Sequence, residues 1–250
     1  MKIWRYIDLP KFVSMLATGR LYFACISSFK DPYEGWLPRS YMDALVKLNR
    51  TYLGQIRQTQ SAMVALRPSI DRAQLDNVVL DAERRLCTSR LLTETNAKFG
   101  ASCWHINDGE SEAMWQLYGA AGGGIAIEST RERLETALKD TAPHVVHIDP
   151  VRYMNFDDDP IDKGGHRHLM GFIKRKSFEH EREMRAVVML PEPGQGAAMP
   201  CDMNTLIAQI HIAPLADPYY ADAVRYVIDR AEKKLEAPVV VSRLMDPPDY

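Results

Sequence analysis

Charged side chains crowd segment 178–185, Phe-Glu-His-Glu-Arg-Glu-Met-Arg, which leads directly into the apolar run 186–190, Ala-Val-Val-Met-Leu. A polar run followed by β-branched residues predicts a strand that enters a core from an exposed end. The two-residue period of a strand places Glu181, Glu183 and Arg185 on one face. They would line one edge of a site, where positioned carboxylates stabilise positive charge or accept a proton. The alternative is a half-exposed strand whose charges are solvated.

A second polar stretch, 27–35 with the sequence Ser-Ser-Phe-Lys-Asp-Pro-Tyr-Glu-Gly, follows a predicted strand at 21–26. Its Asp-Pro pair and glycine indicate a sharp turn. Loops that leave strand ends in this way often contain functional residues. The alternative is a turn in which Asp31 caps its own backbone and Glu34 is solvated.

Composition limits the function classes. The chain has 250 residues, 46% of them hydrophobic and 26% charged, with a formal net charge of −2. It is long enough for a sizeable core, and its charge argues against a protein that holds nucleic acid through a broad basic surface. Four scattered cysteines without a CxxC pair indicate reduced thiols. The sequence shows neither a signal peptide nor a membrane-spanning run, so we expect a cytoplasmic protein without a membrane partner.

Strands and helices mix without a regular repeat, which favours an α+β fold with a mixed or antiparallel sheet. We expect a single domain over residues 1–250. Within it, residues 41–99 are polar with helical spacing of apolar residues, and we interpret them as a helical insertion or lid.

Three further motifs are set aside as cofactor or metal sites. The triple glycine at 122–124 lies between a helix and a strand, the reverse of a phosphate loop, so a helix stop is the better interpretation. The aspartates at 157–159 lack the spacing of a calcium loop. The histidines in 164–168 define no metal geometry. No metal site is predicted.

Several separated segments resemble one known family. They are Trp4-Arg5-Tyr6, residues 29–34, residues 114–128 and residues 181–185, which occur in that order. The chain resembles the bacterial domain-of-unknown-function family 2971 over nearly its whole length, although Phe178 replaces the family's usual tryptophan and Lys30 its usual asparagine. Similar proteins are associated with abortive-infection phage defence, so the resemblance implies a toxin-like effector.

A more distant likeness is to ADP-ribosyltransferases of the arginine-serine-glutamate kind. Arg5, Ser27 with Ser28, and Glu181-x-Glu183 occur in the order of that family's motifs. The likeness implies a split sheet and NAD as substrate, with transfer to an unknown protein or nucleic-acid acceptor, or to water.

The same likeness implies roles for individual residues. Glu183 would stabilise the oxocarbenium-like charge that develops as nicotinamide leaves, and Glu181 would orient or deprotonate the acceptor. Arg5 would bind the pyrophosphate. The remaining predicted NAD-binding residues are Ser27 at the ribose or beside Glu183, Tyr6 or Tyr33 stacked on nicotinamide, and Arg185 at the edge of the site.

Two other function classes remain open. One is a metal-dependent phosphodiesterase or nuclease, in which Asp31, Glu34, Glu181 and Glu183 would bind Mg²⁺ and Lys174 or Lys176 a phosphate. The other is a non-catalytic sensor or interaction module that docks a partner protein through the helical block 41–99.

Overall fold

The computed structural model of the chain describes residues 1–67, 69, 71–86, 88–119, 123–159 and 169–248. The histidine segment 164–168 and Gly122 of the glycine run therefore lie outside the described residues. The strands are β1 (Lys2–Ile7), β2 (Arg20–Cys25), β3 (Phe99–Ile106), β4 (Ile125–Thr130), β5 (Val146–Pro150), β6 (Arg152–Met154), β7 (Ile173–Arg175), β8 (Glu183–Met189), β9 (Ala197–Pro200), β10 (Gln209–Ile212) and β11 (Val239–Val241). The α-helices are α1 (Leu9–Thr18), α2 (Arg39–Leu66), α3 (Arg72–Arg85), α4 (Thr88–Asn96), α5 (Glu112–Tyr118), α6 (Arg131–Ala137), α7 (Met203–Leu206) and α8 (Pro218–Asp229). Short 3₁₀ helices span Ile26–Ser28, Leu169–Phe172 and Lys176–Glu181.

The predicted α+β class with a mixed sheet is confirmed. In the described part of the chain, nine strands form one sheet, and β6 and β7 form a small parallel pair beside it. Neighbouring strands of the large sheet run antiparallel, apart from β10 and β11, which run parallel.

The large sheet divides along one edge of β3. At one end of β3, residues 105–106 pair with β1, and at the other end, residues 100–101 pair with β2. The opposite edge of β3 pairs continuously with β8, from Phe99 with Met189 to His105 with Glu183. β8, which contains Glu183, therefore lies next to β3, the strand at which the sheet divides.

Both faces of β8 are covered. Met184, Ala186 and Val188 join the main hydrophobic core on one face, whereas Val187 packs with Ile26 and Phe172 in a second cluster on the other. The alternative of a half-exposed strand with solvated charges is therefore contradicted. The 3₁₀ helices at 26–28 and 169–172 cover the face that alternation alone left open.

The segment predicted as helical at 41–99 contains α2, α3 and α4. Every residue of α2 is exposed or half-buried, and its last two thirds contact α3 through side-chain pairs such as Arg57 with Glu83. Its first turns are held against the body of the protein by a cluster around Leu37, Leu92 and Ile173. Among the described residues, no helix has the length and apolar content needed to cross a membrane.

Candidate functional site

Glu183 and Arg185 lie on one face of β8, as alternation predicts, but Glu181 does not belong to that strand. It ends the 3₁₀ helix Lys176–Glu181, and Arg182 then turns the chain in the left-handed region with φ 41°. The sequence did not predict that the strand begins only at Glu183, because a run of charged residues is compatible with either a strand or a turn. The side chains of Glu181 and Glu183 are nevertheless both buried and meet at a common cation.

That cation is Lys174 of β7. Its ammonium contacts the Glu181 carboxylate directly and lies 2.5 Å from Glu183 Oε1. Its third carboxylate neighbour is Glu34 Oε2, at 3.9 Å. The Lys174 side chain is only 8% exposed, so these interactions form away from solvent and are screened little.

Arg185 is the second cation, and it is fully buried. Its Nε lies 2.7 Å from Glu183 Oε2 and its Nη2 lies 3.1 Å from Glu183 Oε1, a two-point contact. Its Nη1 donates to the Glu34 carboxylate and, at 3.0 Å, to the carbonyl oxygen of Gly171. We refer to Glu34, Lys174, Glu181, Glu183 and Arg185 as the buried charge cluster.

The two neighbouring glutamates of the buried charge cluster titrate in opposite directions. Burial raises the pKa of Glu181, and a hydrogen bond shared with Glu183 raises it further, against the opposing effect of Lys174. Burial also opposes ionisation of Glu183, but the charge and hydrogen bonds of Arg185 outweigh it and hold the Glu183 pKa well below its ordinary range. Environments that separate the pKa values of two adjacent carboxyls are typical of acid–base catalysis.

Titratable side chains surround the pair. Burial and the carboxylates of Glu181 and Glu183 raise the pKa of Tyr118, whose side chain is half exposed. Tyr153 accepts a hydrogen bond from the Glu183 backbone N–H at 2.8 Å, and burial and Glu183 raise its pKa also. Both phenols therefore stay protonated and are suited to donate hydrogen bonds beside the carboxylates.

An outer contact lies beside the buried charge cluster. Arg175 makes two contacts with Asp31, at 2.6 and 3.2 Å. Its guanidinium lies over the Tyr33 ring, with 4.4 Å from Cζ to the ring centroid, and 5.4 Å from the Phe178 centroid. The Asp31 side chain also accepts from the Tyr33 backbone N–H, which is the predicted self-capping turn. Glu34, expected to be solvated on that alternative, is instead 5% exposed.

Arg5 is not brought to Glu183. Alternation along β1 places Arg5 on the same face of the sheet as Ile3 and Ile7, which pack in the main hydrophobic core. The strand pairing places Glu183 on the opposite face of the sheet. Its guanidinium donates to Ser102 Oγ and, at 3.4 Å, to the Tyr22 carbonyl, and it fills the gap where β1 and β2 diverge. The expectation that Arg5 and Glu183 line one site is therefore corrected, because a one-residue offset in a strand reverses the face.

The other predicted NAD-binding residues lie in different surroundings. Tyr6 is buried against Trp115, and its hydroxyl accepts from the Ser111 backbone N–H at 2.8 Å, so it packs beneath α5. Ser27 is exposed, with its Oγ 3.0 Å from Cys25 Sγ. Tyr33 is 48% exposed and lies at the outer contact with Arg175.

Three of the four carboxylates considered as Mg²⁺ ligands of a metal-dependent enzyme lie close together. Glu34, Glu181 and Glu183 converge, but the Lys174 ammonium occupies the space among them, and Asp31 is engaged by Arg175. Within the described ranges, no three His, Cys, Asp or Glu side chains are arranged to hold a metal ion.

Sequence reasoning missed Lys174 as the centre of the site, and it did not include Tyr118 or Tyr153. The one available signal was the basic run at 174–176, from which Lys174 or Lys176 was considered as a phosphate ligand; Lys174 and Arg175 end β7, and Lys176 begins the following 3₁₀ helix. Comparison with protein-family models, curated proteins and solved structures gave no match to this chain. We therefore infer function from the geometry of the buried charge cluster.

Proposed function

We propose that the chain is an ADP-ribosyltransferase-like enzyme that breaks the N-glycosidic bond of NAD. The single observation that supports this is the Glu181–Glu183 pair, two adjacent buried carboxyls that share Lys174 and whose pKa values are moved apart. One carboxylate that stays ionised and one whose proton affinity is raised are the two groups that glycosidic transfer needs.

Glu183 would provide the fixed negative charge. As the bond from the ribose carbon to the nicotinamide nitrogen breaks, its electron pair goes to the nicotinamide ring and positive charge develops on the sugar. With all its carboxylates ionised, the buried charge cluster has three negative and two positive groups, a formal charge of −1. A buried site of that charge stabilises the positive transition state more than the ground state.

Glu181 would take the proton from the acceptor. The raised pKa makes its carboxylate a stronger base near neutral pH than an ordinary glutamate. The Glu181 side chain is 10% exposed, against 6% for Glu183, and it interacts with Tyr118, which is half exposed. The acceptor oxygen or nitrogen then bonds to the ribose carbon that nicotinamide has left.

The acceptor surface and the biological setting are also proposals. Resemblance to family 2971 supports a role as a toxin-like effector in phage defence. The groove between α2 and α3, a cavity of about 340 Å³ bordered by Tyr52, Met63 and Val78, is the surface we propose for a partner or acceptor protein. Under this proposal, Tyr52→Glu leaves nicotinamide release unchanged and reduces modification of the acceptor.

The test is to incubate the purified protein with NAD and cell extract and to measure nicotinamide by chromatography, with and without EDTA. We expect release that is unaffected by EDTA. A metal-dependent enzyme would be indicated instead if EDTA abolished nicotinamide release. Cleavage of nucleic acid in Mg²⁺ without nicotinamide release would indicate the same class. Absence of all these reactions would favour the interaction module.

A further inference from the structure

One carboxylate oxygen of Glu34, Oε2, accepts no hydrogen bond from the described residues of the site. Glu34 Oε1 accepts from Arg185, but among the residues that the structure describes Oε2 has no hydrogen-bond partner, although the side chain is only 2% exposed. A buried, unpaired charged oxygen costs free energy, so an uncompensated one calls for an explanation.

The Lys174 ammonium lies 3.9 Å from this oxygen. That separation is about 1 Å too long for a hydrogen bond. An ammonium has three N–H donors, and two of them serve Glu181 and Glu183. A small movement of the flexible lysine side chain, away from Glu181, would bring the third donor to Glu34.

We propose that Glu34 is a positioning residue for the carboxylate pair, and that its Oε2 receives the Lys174 ammonium when Glu181 takes up a proton. A protonated Glu181 is neutral and holds the ammonium more weakly than a carboxylate does. The unpaired oxygen of Glu34 then becomes the better acceptor. Glu183 keeps its contact with Lys174 in both arrangements, so its ionised state does not depend on the proton of Glu181.

Each element packed around Glu181 contributes a charged or titratable group. These are Glu34 in the turn after β2, Lys174 on β7, Glu183 and Arg185 on β8, Cys103 and His105 on β3, Tyr118 on α5 and Tyr153 on β6. The phenols and the Cys103 thiol stay neutral, because burial raises the pKa of each. Burial lowers the pKa of His105, whose Nδ1 lies 2.7 Å from the backbone carbonyl oxygen of Glu181. Among the described residues, the cations in direct contact with the Glu181 and Glu183 carboxylates are Lys174 and Arg185.

The catalytic consequence rests on the proposed function, whereas the movement itself does not. During transfer, Glu181 accepts the proton of the acceptor, and the ammonium shifts to Glu34 at that moment. Without Glu34, the ammonium would remain against Glu181 and oppose its protonation.

The first test needs neither substrate nor substitution. The midpoint of Glu181 titration is measured by ¹³C NMR of the carboxyl groups, and crystal structures of the unmodified chain are determined two pH units above and below it. We expect the distance from Lys174 Nζ to Glu34 Oε2 to shorten from 3.9 Å to about 2.9 Å at the lower pH. A distance that is the same at both pH values would overturn the proposal.

The second test compares two carboxylate-to-amide changes in the same turn. Glu34→Gln removes the alternative acceptor and a negative charge, so the Glu181 midpoint should fall by about one pH unit. Asp31 binds Arg175 instead of Lys174, so Asp31→Asn should leave the Glu181 midpoint unchanged. An unchanged midpoint in Glu34→Gln, or an equal fall in both variants, contradicts the role of Glu34. Nicotinamide release by the unmodified chain separately decides the proposed function.

Discussion

Lys174 Nζ and Glu183 Oε1 lie 2.5 Å apart, in an ion pair that joins β7 to β8 and excludes solvent. The same ammonium also binds Glu181, so one lysine connects the two carboxyls proposed to divide the chemistry between them. Because charges removed from water are stabilised only by each other, a change at one of these residues should affect both folding and catalysis.

Glu183→Gln should abolish turnover and also destabilise the fold. A solvated strand charge would be worth under about 1 kcal/mol, but Glu183 is 5% exposed and bound by two cations. Breaking a buried pair costs about 3–5 kcal/mol, because the partner charges remain buried without compensation. Urea denaturation measures this loss, with the exposed Glu179→Gln as the control that should resemble the parent chain. A Glu183→Gln midpoint equal to that of the control would mean that the ion pairs contribute little.

Lys174→Gln should destabilise the protein in a way that acid partly reverses. It leaves three carboxylates facing one cation, Arg185, and protonation of Glu181 then relieves their repulsion. The difference in free energy of unfolding between variant and parent should therefore shrink as pH falls from 8 toward about 5. Lys176→Gln, an exposed lysine two residues later, serves as the matched control and should show no such dependence.

The two glutamates should give opposite contributions to stability as pH changes. The folded pKa of Glu183 is lowered, so its contribution is present above the ordinary value of about 4.3 and is lost as pH falls below it. The folded pKa of Glu181 is raised, so folding stability decreases as pH rises from about 4.3 through the folded value. Glu181→Gln removes the second effect, and its stability relative to the parent should increase across that window. A relative stability that is independent of pH would show that the Glu181 pKa is not raised.

Arg5→Met should leave the NAD dependence of the reaction unchanged. Arg5 lies on the opposite face of the sheet from Glu183, and its guanidinium binds Ser102 and the Tyr22 carbonyl. We expect a loss of stability of about 1–3 kcal/mol, from the lost charge-assisted hydrogen bond to Ser102 Oγ, with an unchanged KM for NAD. A raised KM at normal stability would restore the pyrophosphate role that the sequence suggested.

Alternation along β8 was sufficient to predict that Glu183 and Arg185 share a face, because strand geometry fixes that relationship locally. The burial of that face was not predictable, since its covering residues, such as Ile26 and Phe172, come from distant segments. Alternation also describes only one strand at a time. The face on which Arg5 lies relative to Glu183 depends on the pairing of β1 with β3, which the sequence does not encode locally.

The position of Glu34 in the buried charge cluster was also not predictable from local sequence patterns. Glu34 lies 151 positions before Arg185 in the chain, and only the tertiary structure joins them. The α+β class was predictable because it depends on the irregular order of short elements.

The most direct measurement of the central claim is the rate of nicotinamide release by Glu181→Gln, beside the parent chain and Glu179→Gln. Glu181 is preferred to Glu183 for this purpose, because its removal takes away the proton acceptor while Arg185 and Lys174 keep Glu183 paired. We predict that Glu181→Gln remains folded and loses a factor of about 10²–10⁴ in rate, with Glu179→Gln unchanged. A folded Glu181→Gln protein that releases nicotinamide at the parental rate would contradict the assignment of this carboxylate pair as the catalytic site.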